Sequence, residues 1–174
     1  MKKSYLFGCL QIHRCNLQKN NISFFRYANL AKEEGGTVNC GFGVDSLDLP
    51  SHLQKGYFFP PTVVSNLPEG SRCMNEEIFG PIVCFDKFST EEEAIKKANS
   101  VEYGLCASVW SQNVGKVHRV SAELEVGTVW NNCWLIRSLH MPFGGCKQSG
   151  IGREGIKHSL ENYTNEKTVC IKIN

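Results

Sequence analysis

Strand-like and helix-like patterns alternate along most of this chain, and that alternation restricts the possible folds more than any other feature. Short runs rich in β-branched and apolar residues, such as Ile82–Phe85, are separated by segments whose apolar residues recur at helical spacing, such as Asn113–Leu124. One strand–helix–strand unit takes roughly 30 residues, the usual size of a βαβ unit. We therefore predict an α/β fold with a largely parallel sheet and flanking helices.

The same patterns give approximate bounds for each element. Tyr57–Val64 is interrupted by Pro60 and Pro61 and is therefore expected to be an edge or irregular strand. Thr37–Cys40 is expected to be a short buried strand, and Lys167–Ile173 alternates like a half-buried final strand. The remaining predicted strands are Ile82–Phe85, Ala107–Trp110 and Thr128–Trp130, and the predicted helices are Phe24–Glu34, Ser89–Asn99, Asn113–Leu124 and Gly155–Tyr163.

Size and charge exclude several classes of protein. The chain has 174 residues, is 41% hydrophobic and carries a formal net charge of +2, which is typical of one globular domain with a core. Its lysines and arginines are scattered and form no basic stripe, so we expect no nucleic-acid partner. Its apolar runs are too short for a membrane span, so we expect no membrane partner.

The nine cysteines are dispersed, with no C-x-x-C pair, and the five histidines lack the spacing of metal ligands. Most of the cysteines sit in apolar runs, where free thiols act as small hydrophobic side chains. We therefore expect a reducing compartment, the cytoplasm, and no metal.

The stretch from Trp130 to Glu154 is dense in glycine near its end, because five of the sixteen glycines fall between residues 144 and 155: Gly144, Gly145, Gly150, Gly152 and Gly155. Such a segment is either a functional loop or a tight connection between a strand and a helix. Arg137 interrupts its apolar part and either extends to solvent or binds an anion; spacing alone leaves both open. Glu154 is interpreted as an acid in the first turn of the next helix.

The segment Glu76–Pro81 places two adjacent carboxylates and Phe79 at a Gly-Pro turn. A carboxylate at such a turn can accept hydrogen bonds from the two hydroxyls of a ribose, while the ring covers a flat ligand. The alternative is a solvated acidic turn, which composition alone favours.

Four motifs occur here in a characteristic order: E-E-I-F-G-P, V-G-T-V-W-N-N, P-F-G-G-x-K-x-S-G-x-G-R-E and Y-T-x-x-K-T-V. Together they resemble the C-terminal portion of the NAD(P)-dependent aldehyde dehydrogenase family, over roughly residues 27–172. Within that family, residues 132–137 (N-C-W-L-I-R) resemble the 2-aminomuconic semialdehyde dehydrogenase branch (family 8).

The resemblance implies oxidation of an aldehyde to a carboxylic acid, with NAD or NADP as hydride acceptor and a semialdehyde that carries a carboxylate as a candidate substrate. It implies that Glu77, rather than Glu76, binds the nicotinamide ribose and that Phe79 packs beside the nicotinamide. It also assigns four residues to the substrate tunnel, with the arginine holding a substrate carboxylate: Cys133, Leu135, Arg137 and Phe143.

The chain departs from the family pattern in its catalytic residues. The family's nucleophile lies in a G-Q-x-C context, which the sequence lacks. Its general-base glutamate lies in E-x-G-G, and the segment here with those letters, E-E-G-G at Glu33–Gly36, is interpreted as a helix end. We therefore assign no catalytic residue and expect a fragment, without the dinucleotide-binding domain, that is inactive alone.

The resemblance also implies a division of the chain. Residues 1–23 are not family-like, 24–163 are expected to form a partial catalytic domain, and 164–174 an oligomerisation segment. The alternative function is a non-catalytic module that joins or inhibits full-length subunits through the Lys167–Ile173 strand.

Overall fold

The computed structural model describes residues 18–41, 49–54, 56 and 58–173, with side chains from residue 24 onward. The chain divides into two compact units, Met1–Thr90 and Glu91–Asn174. In chain order the elements are α1 (Gln18–Glu33), β1 (Thr37–Cys40), β2 (Thr62–Ser65), α2 (Arg72–Asn75), β3 (Ile82–Phe85), α3 (Glu91–Asn99), β4 (Tyr103–Gly104), β5 (Cys106–Val109), α4 (Val114–Glu123), β6 (Thr128–Asn131), β7 (Cys146–Lys147) and α5 (Ile156–Tyr163).

The first unit packs α1 against a three-stranded sheet of order β1-β2-β3. Phe24, Ala28 and Ala31 recur at helical spacing on one face of α1 and are all buried. The Phe24 and Phe59 rings meet edge to face, with 5.5 Å between their centroids. The helix begins at Gln18, earlier than the predicted Phe24.

The prediction that Tyr57–Val64 contains an edge or irregular strand was wrong. The strand there, β2, is the central one, paired antiparallel with β1 and parallel with β3. Pro60 and Pro61 precede it and interrupt no ladder, so its first residue, Thr62, donates its N–H to the Pro81 carbonyl at 2.9 Å. Thr62 and Val64 are fully buried.

The strand at Thr37–Cys40 has the predicted bounds, but the expectation that it is buried was wrong. Three of its four residues are exposed, because β1 is an edge strand. Residues 42–48, in the loop that follows β1, lie outside the described residues, as do residues 1–17 of the segment predicted to be unlike the family.

The second unit contains the predicted strand–helix–strand crossover. The strands β5 and β6 are parallel and in register from Cys106 opposite Thr128 to Val109 opposite Asn131, and α4 connects them. The Asn113 side chain caps α4 by accepting from the Lys116 N–H at 2.9 Å. Two such parallel pairs, with helices beside them, confirm the predicted α/β class.

The predicted final strand, Lys167–Ile173, does not form within the described part of the chain. Residues 164–173 adopt no regular secondary structure, and both alternating sets of side chains are exposed, including Val169, Ile171 and Ile173. Among the described residues, no strand lies beside this segment to pair with it. In the described part of the second unit, Trp130 is the one large apolar side chain that is almost fully buried, at 5% exposure.

Candidate functional site

In the first unit, Glu76 is a structural residue. It ends α2, and its carboxylate accepts from Arg72 Nε at 2.7 Å and from the Tyr27 hydroxyl at 2.8 Å. These hydrogen bonds, the one from Arg72 foremost, hold the pKa of Glu76 below its usual value. The same carboxylate raises the pKa of Tyr27.

The next residues are presented outward. Glu77 is exposed, and its carboxylate has no hydrogen-bond or ion-pair partner within the described part of the chain. Phe79 is 80% exposed and has a φ of 58°, a left-handed conformation that costs energy for any residue with a Cβ. A strained backbone that holds an aromatic ring in solvent is typical of a ligand-binding turn.

The turn is fastened at both ends. Glu76 is bound on one side, and on the other Gly80 lies so close to Phe24 that an added Cβ would come within 2.1 Å of the ring. The Gly80 carbonyl accepts from the Ile82 N–H at 2.8 Å, which leads directly into β3. The turn between these points is therefore anchored on both sides by contacts within the first unit.

In the second unit, Arg137 and Phe143 lie in direct contact. The guanidinium carbon of Arg137 is 4.0 Å from the centroid of the Phe143 ring, a cation–π arrangement. Arg137 Nη2 also forms an ion pair with the carboxylate of Glu154. The guanidinium therefore neither extends freely into solvent nor waits unpaired for an anion, the two alternatives that the sequence left open.

Glu154 is not in the first turn of a helix, as the sequence suggested, because α5 begins two residues later, after Gly155. It pairs instead with Phe143 through two backbone hydrogen bonds of 2.9 and 2.7 Å. This bridge places its carboxylate beside the aromatic ring on which Arg137 lies. One feature of the sequence points to this bridge: Phe143 and Glu154 fall within the same glycine-rich motif.

Trp130 supports the loop that contains the other predicted tunnel residues. Its indole N–H donates to the Ile136 carbonyl at 2.8 Å, and its ring packs against Trp134 with 5.0 Å between centroids. Leu135, between those two residues, is 63% exposed and has a φ of 58°. The half-buried Cys133 is fixed through its carbonyl, which accepts from the Ser108 hydroxyl at 3.0 Å.

A cleft of about 240 Å³ opens beside the Arg137–Glu154 pair. Arg137 and Glu154 form one part of its lining, and the rest is partly apolar and partly polar: Leu139, Met141 and Ile156, with Ser138, Gly155 and Ser159. A cleft that combines a guanidinium with apolar residues and hydroxyl groups suits a small organic acid. Of the predicted tunnel residues, only Arg137 lines it.

Most of the glycine-rich loop has a structural role. A Cβ on Gly127 would come within 1.7 Å of the Gly144 carbonyl oxygen, so two backbone segments meet there without side chains. Arg153 Nη1 donates to the Gly145 carbonyl at 2.6 Å.

Lys147 also has a structural role, which the sequence did not indicate. Its Nζ binds the Glu125 carboxylate at 2.7 Å and the Asn99 carbonyl at 2.8 Å.

The thiols whose pKa values shift do so in the wrong direction for a nucleophile. Burial raises the pKa of Cys73 to about 12 and that of Cys84 to about 11, and it also raises that of Cys106. Among the described residues there is no cluster of three side chains able to hold a metal ion, and no described helix is long and apolar enough to cross a membrane.

Comparison with known proteins gives the family. The model of the aldehyde dehydrogenase family matches residues 17–169. The 2-aminomuconic semialdehyde dehydrogenase of Bos taurus is 55% identical over 146 residues, which are 84% of this chain and 30% of that protein. The 2-hydroxymuconic semialdehyde dehydrogenase of Pseudomonas putida is 47% identical over 147 residues, with the same two coverages.

A solved structure agrees. Betaine aldehyde dehydrogenase from Staphylococcus aureus in complex with NAD⁺ superposes with a TM-score of 0.77 at 40% identity, covering 84% of this chain and 28% of that one. The chain belongs to the aldehyde dehydrogenase family. It spans about 30% of the length of the curated relatives that it matches.

Proposed function

We propose that this chain supplies one part of the cofactor site and one wall of the substrate site of an NAD(P)-dependent enzyme that oxidises carboxylated semialdehydes. The observation that carries the proposal is the exposed Arg137 guanidinium, held on the Phe143 ring beside a cleft. A guanidinium is the group best suited to orient a planar carboxylate. Relatives named for 2-aminomuconic and 2-hydroxymuconic semialdehydes support the substrate class.

The turn at Glu77 and Phe79 fits the cofactor. Glu77 offers two unpaired carboxylate oxygens to the hydroxyls of the nicotinamide ribose, and the exposed Phe79 ring offers a flat apolar surface to the nicotinamide. When bound, the cofactor supplies the hydride acceptor. The part of this chain is to bind and orient it.

The substrate wall is formed by the loop after β6. Cys133, Leu135 and Phe143 line the path of the aldehyde, and Arg137 holds the carboxylate at the far end of the substrate. Residues 24–163 form part of a catalytic domain, and residues 164–174 form a segment that contacts another subunit. We place the protein in the cytoplasm, where its cysteines stay reduced.

Because the 174 residues contain no G-Q-x-C segment, and so no nucleophile in the family's context, the purified chain with NAD⁺ and an aldehyde should show no growth of NADH absorbance. Residues 17–173, placed in the bovine relative in exchange for its matching segment, should give an active chimera. In that chimera Glu77→Gln should raise KM for NAD⁺ about tenfold, as expected for a lost charge-assisted hydrogen bond.

The structure also offers a control for the cofactor test. Glu76→Gln removes the same charge one residue away, from a carboxylate already used by Arg72 and Tyr27. If Glu76→Gln raised KM for NAD⁺ more than Glu77→Gln, or if the chimera folded and bound NAD⁺ without turnover, the proposal would be contradicted.

A second candidate function is a non-catalytic module that joins full-length subunits. The observation in its favour is the exposed apolar row Val169, Ile171 and Ile173 at the end of the chain. Co-expressed with the bovine relative, the chain should then co-purify with it. Ile171→Lys should abolish co-purification, whereas Thr168→Lys, on the alternate row, should not; equal retention of both variants would argue against this function.

A further inference from the structure

A carboxylate within the chain competes with the anion that Arg137 is expected to bind. Its guanidinium is already paired with the carboxylate of Glu154, and both side chains line the same cleft. Since the pair is half-exposed, at 45% and 60%, a dissolved carboxylate can reach the guanidinium without any change in the core.

Glu154 is held in this position by the backbone. The two hydrogen bonds between Phe143 and Glu154 bring the carboxylate to the ring on which Arg137 lies. The charges of the pair cancel, so the cleft attracts a free carboxylate less strongly than an unpaired arginine would.

We propose that Glu154 is a specificity-determining residue that competes with the substrate carboxylate for Arg137. The step is an exchange: the Arg137–Glu154 pair opens, an Arg137–ligand pair forms, and no covalent bond changes. A ligand without a carboxylate leaves the internal pair closed and gains nothing from Arg137. The proposal rests on the part of the proposed function that assigns Arg137 to the substrate carboxylate.

The size of the effect follows from the exposure of the pair. Exposed ion pairs contribute up to roughly 1 kcal/mol, which corresponds to about a fivefold change in affinity. Glu154→Gln should therefore tighten carboxylate binding about fivefold while keeping the size and the backbone bridge of residue 154.

The test uses the whole chain and hexanoate, a six-carbon carboxylate with no aldehyde, titrated by NMR at the Arg137 side-chain N–H and at the amides of Gly155 and Ile156. We expect weak binding by the wild-type chain, about fivefold tighter binding by Glu154→Gln, and none by Arg137→Gln. Hexanamide, which is uncharged, should not distinguish the variants.

Glu161→Gln is the matched control. Glu161 is an exposed carboxylate in α5 that pairs with Lys157 and His158, away from the cleft lining, so its loss changes the net charge equally. It should leave hexanoate binding unchanged. A Glu154→Gln variant that bound hexanoate no more tightly than the wild type, or no more tightly than Glu161→Gln, would overturn the proposal, as would a lack of binding in every variant.

This result is separate from the test of the proposed function. The exchange at Arg137 needs neither NAD⁺ nor a nucleophile, so it is measured in the chain itself. If the chimera with the bovine relative had no dehydrogenase activity while Glu154→Gln tightened hexanoate binding, the proposed function would fail, and the competition between Glu154 and a carboxylate ligand for Arg137 would stand.

Discussion

Individual glycines explain why the loop around residue 144 cannot carry ordinary side chains. The Gly127 and Gly144 backbones approach so closely that a methyl group on Gly127 would overlap a carbonyl oxygen at 1.7 Å. A backbone atom cannot rotate away as a flexible side chain can. The close approach of the two backbones therefore explains glycine at position 127 without reference to a ligand.

Gly127→Ala should lower the free energy of unfolding of the second unit by about 3 kcal/mol, the cost of overpacking against a rigid neighbour. All three tryptophans, 110, 130 and 134, lie in this unit, so their fluorescence during urea unfolding reports on it alone. Gly115→Ala is the control, because its added Cβ meets nothing closer than 3.4 Å. It should stabilise α4 by up to about 1 kcal/mol, and equal effects of the two variants would contradict this account.

At Phe79, unlike at Gly127, the residue present is unfavourable for stability. Its backbone conformation costs energy, and its exposed ring gains little from packing. Phe79→Gly should stabilise the first unit by about 1 kcal/mol through relief of the left-handed φ of 58°. Phe79→Ala removes the same ring and keeps the Cβ, so it should not stabilise the unit. Hydrogen exchange at the β2 amides measures both, and a stabilising alanine would show that the ring, not the backbone, was the cause.

At the scale of elements, the short helix α2 depends on Glu34, the residue that directly follows α1. The Glu34 carboxylate accepts from the Ser71 hydroxyl at 2.5 Å and from the Arg72 N–H at 3.0 Å. Burial raises the pKa of Glu34, but these hydrogen bonds outweigh it and the net shift is downward. The carboxylate therefore stabilises the fold above its unfolded pKa, and this contribution is lost as the pH falls through the lower folded pKa.

Glu34→Gln should reduce the stability of the first unit by about 1 kcal/mol at neutral pH, as for a lost helix cap, and by less near pH 3. Hydrogen exchange at β2 at the two pH values gives the measurement. Glu33→Gln, one residue earlier and exposed, should have little effect at either pH. A loss that was the same at both pH values would contradict the role assigned to the ionised Glu34.

Local patterns predicted the elements better than they predicted burial. The strand at Ile82–Phe85 and the helix between Asn113 and Leu124 came out as expected, since periodicity and capping are local properties. The central position of β2 was not predicted, because its pairing with β1 and β3 depends on residues far along the chain. The alternating pattern at Lys167–Ile173 likewise contains no information about pairing, and among the described residues no strand lies beside it.

The site was predictable to a different degree in each part. The resemblance to the aldehyde dehydrogenases selected Glu77 and Phe79. The structure adds that the neighbouring Glu76 carboxylate is hydrogen-bonded, whereas Glu77 is exposed. It also selected Arg137 and Phe143 without indicating that they touch. The ion pair with Glu154 joins residues seventeen positions apart, and nothing in the local pattern of either residue predicts it.

At the scale of the whole molecule, the two predicted groups of site residues fall in different units. Glu77 and Phe79 lie in Met1–Thr90, whereas Cys133, Leu135, Arg137 and Phe143 lie in Glu91–Asn174. Each group is ordered by contacts within its own unit. Under the proposed function, a substitution at Arg137 should therefore change substrate preference in the chimera with the bovine relative while leaving KM for NAD⁺ unchanged.

The most direct test of the central claim is the substrate preference of the chimera in which residues 17–173 replace the matching segment of the bovine relative. In it, Arg137→Lys should lower kcat/KM for 6-oxohexanoate about tenfold, because a lysine ammonium lacks the planar fork that pairs with a carboxylate. For hexanal, which has the same carbon chain without the carboxylate, kcat/KM should be unchanged. An equal loss for both aldehydes would contradict the assignment of Arg137 to the substrate carboxylate.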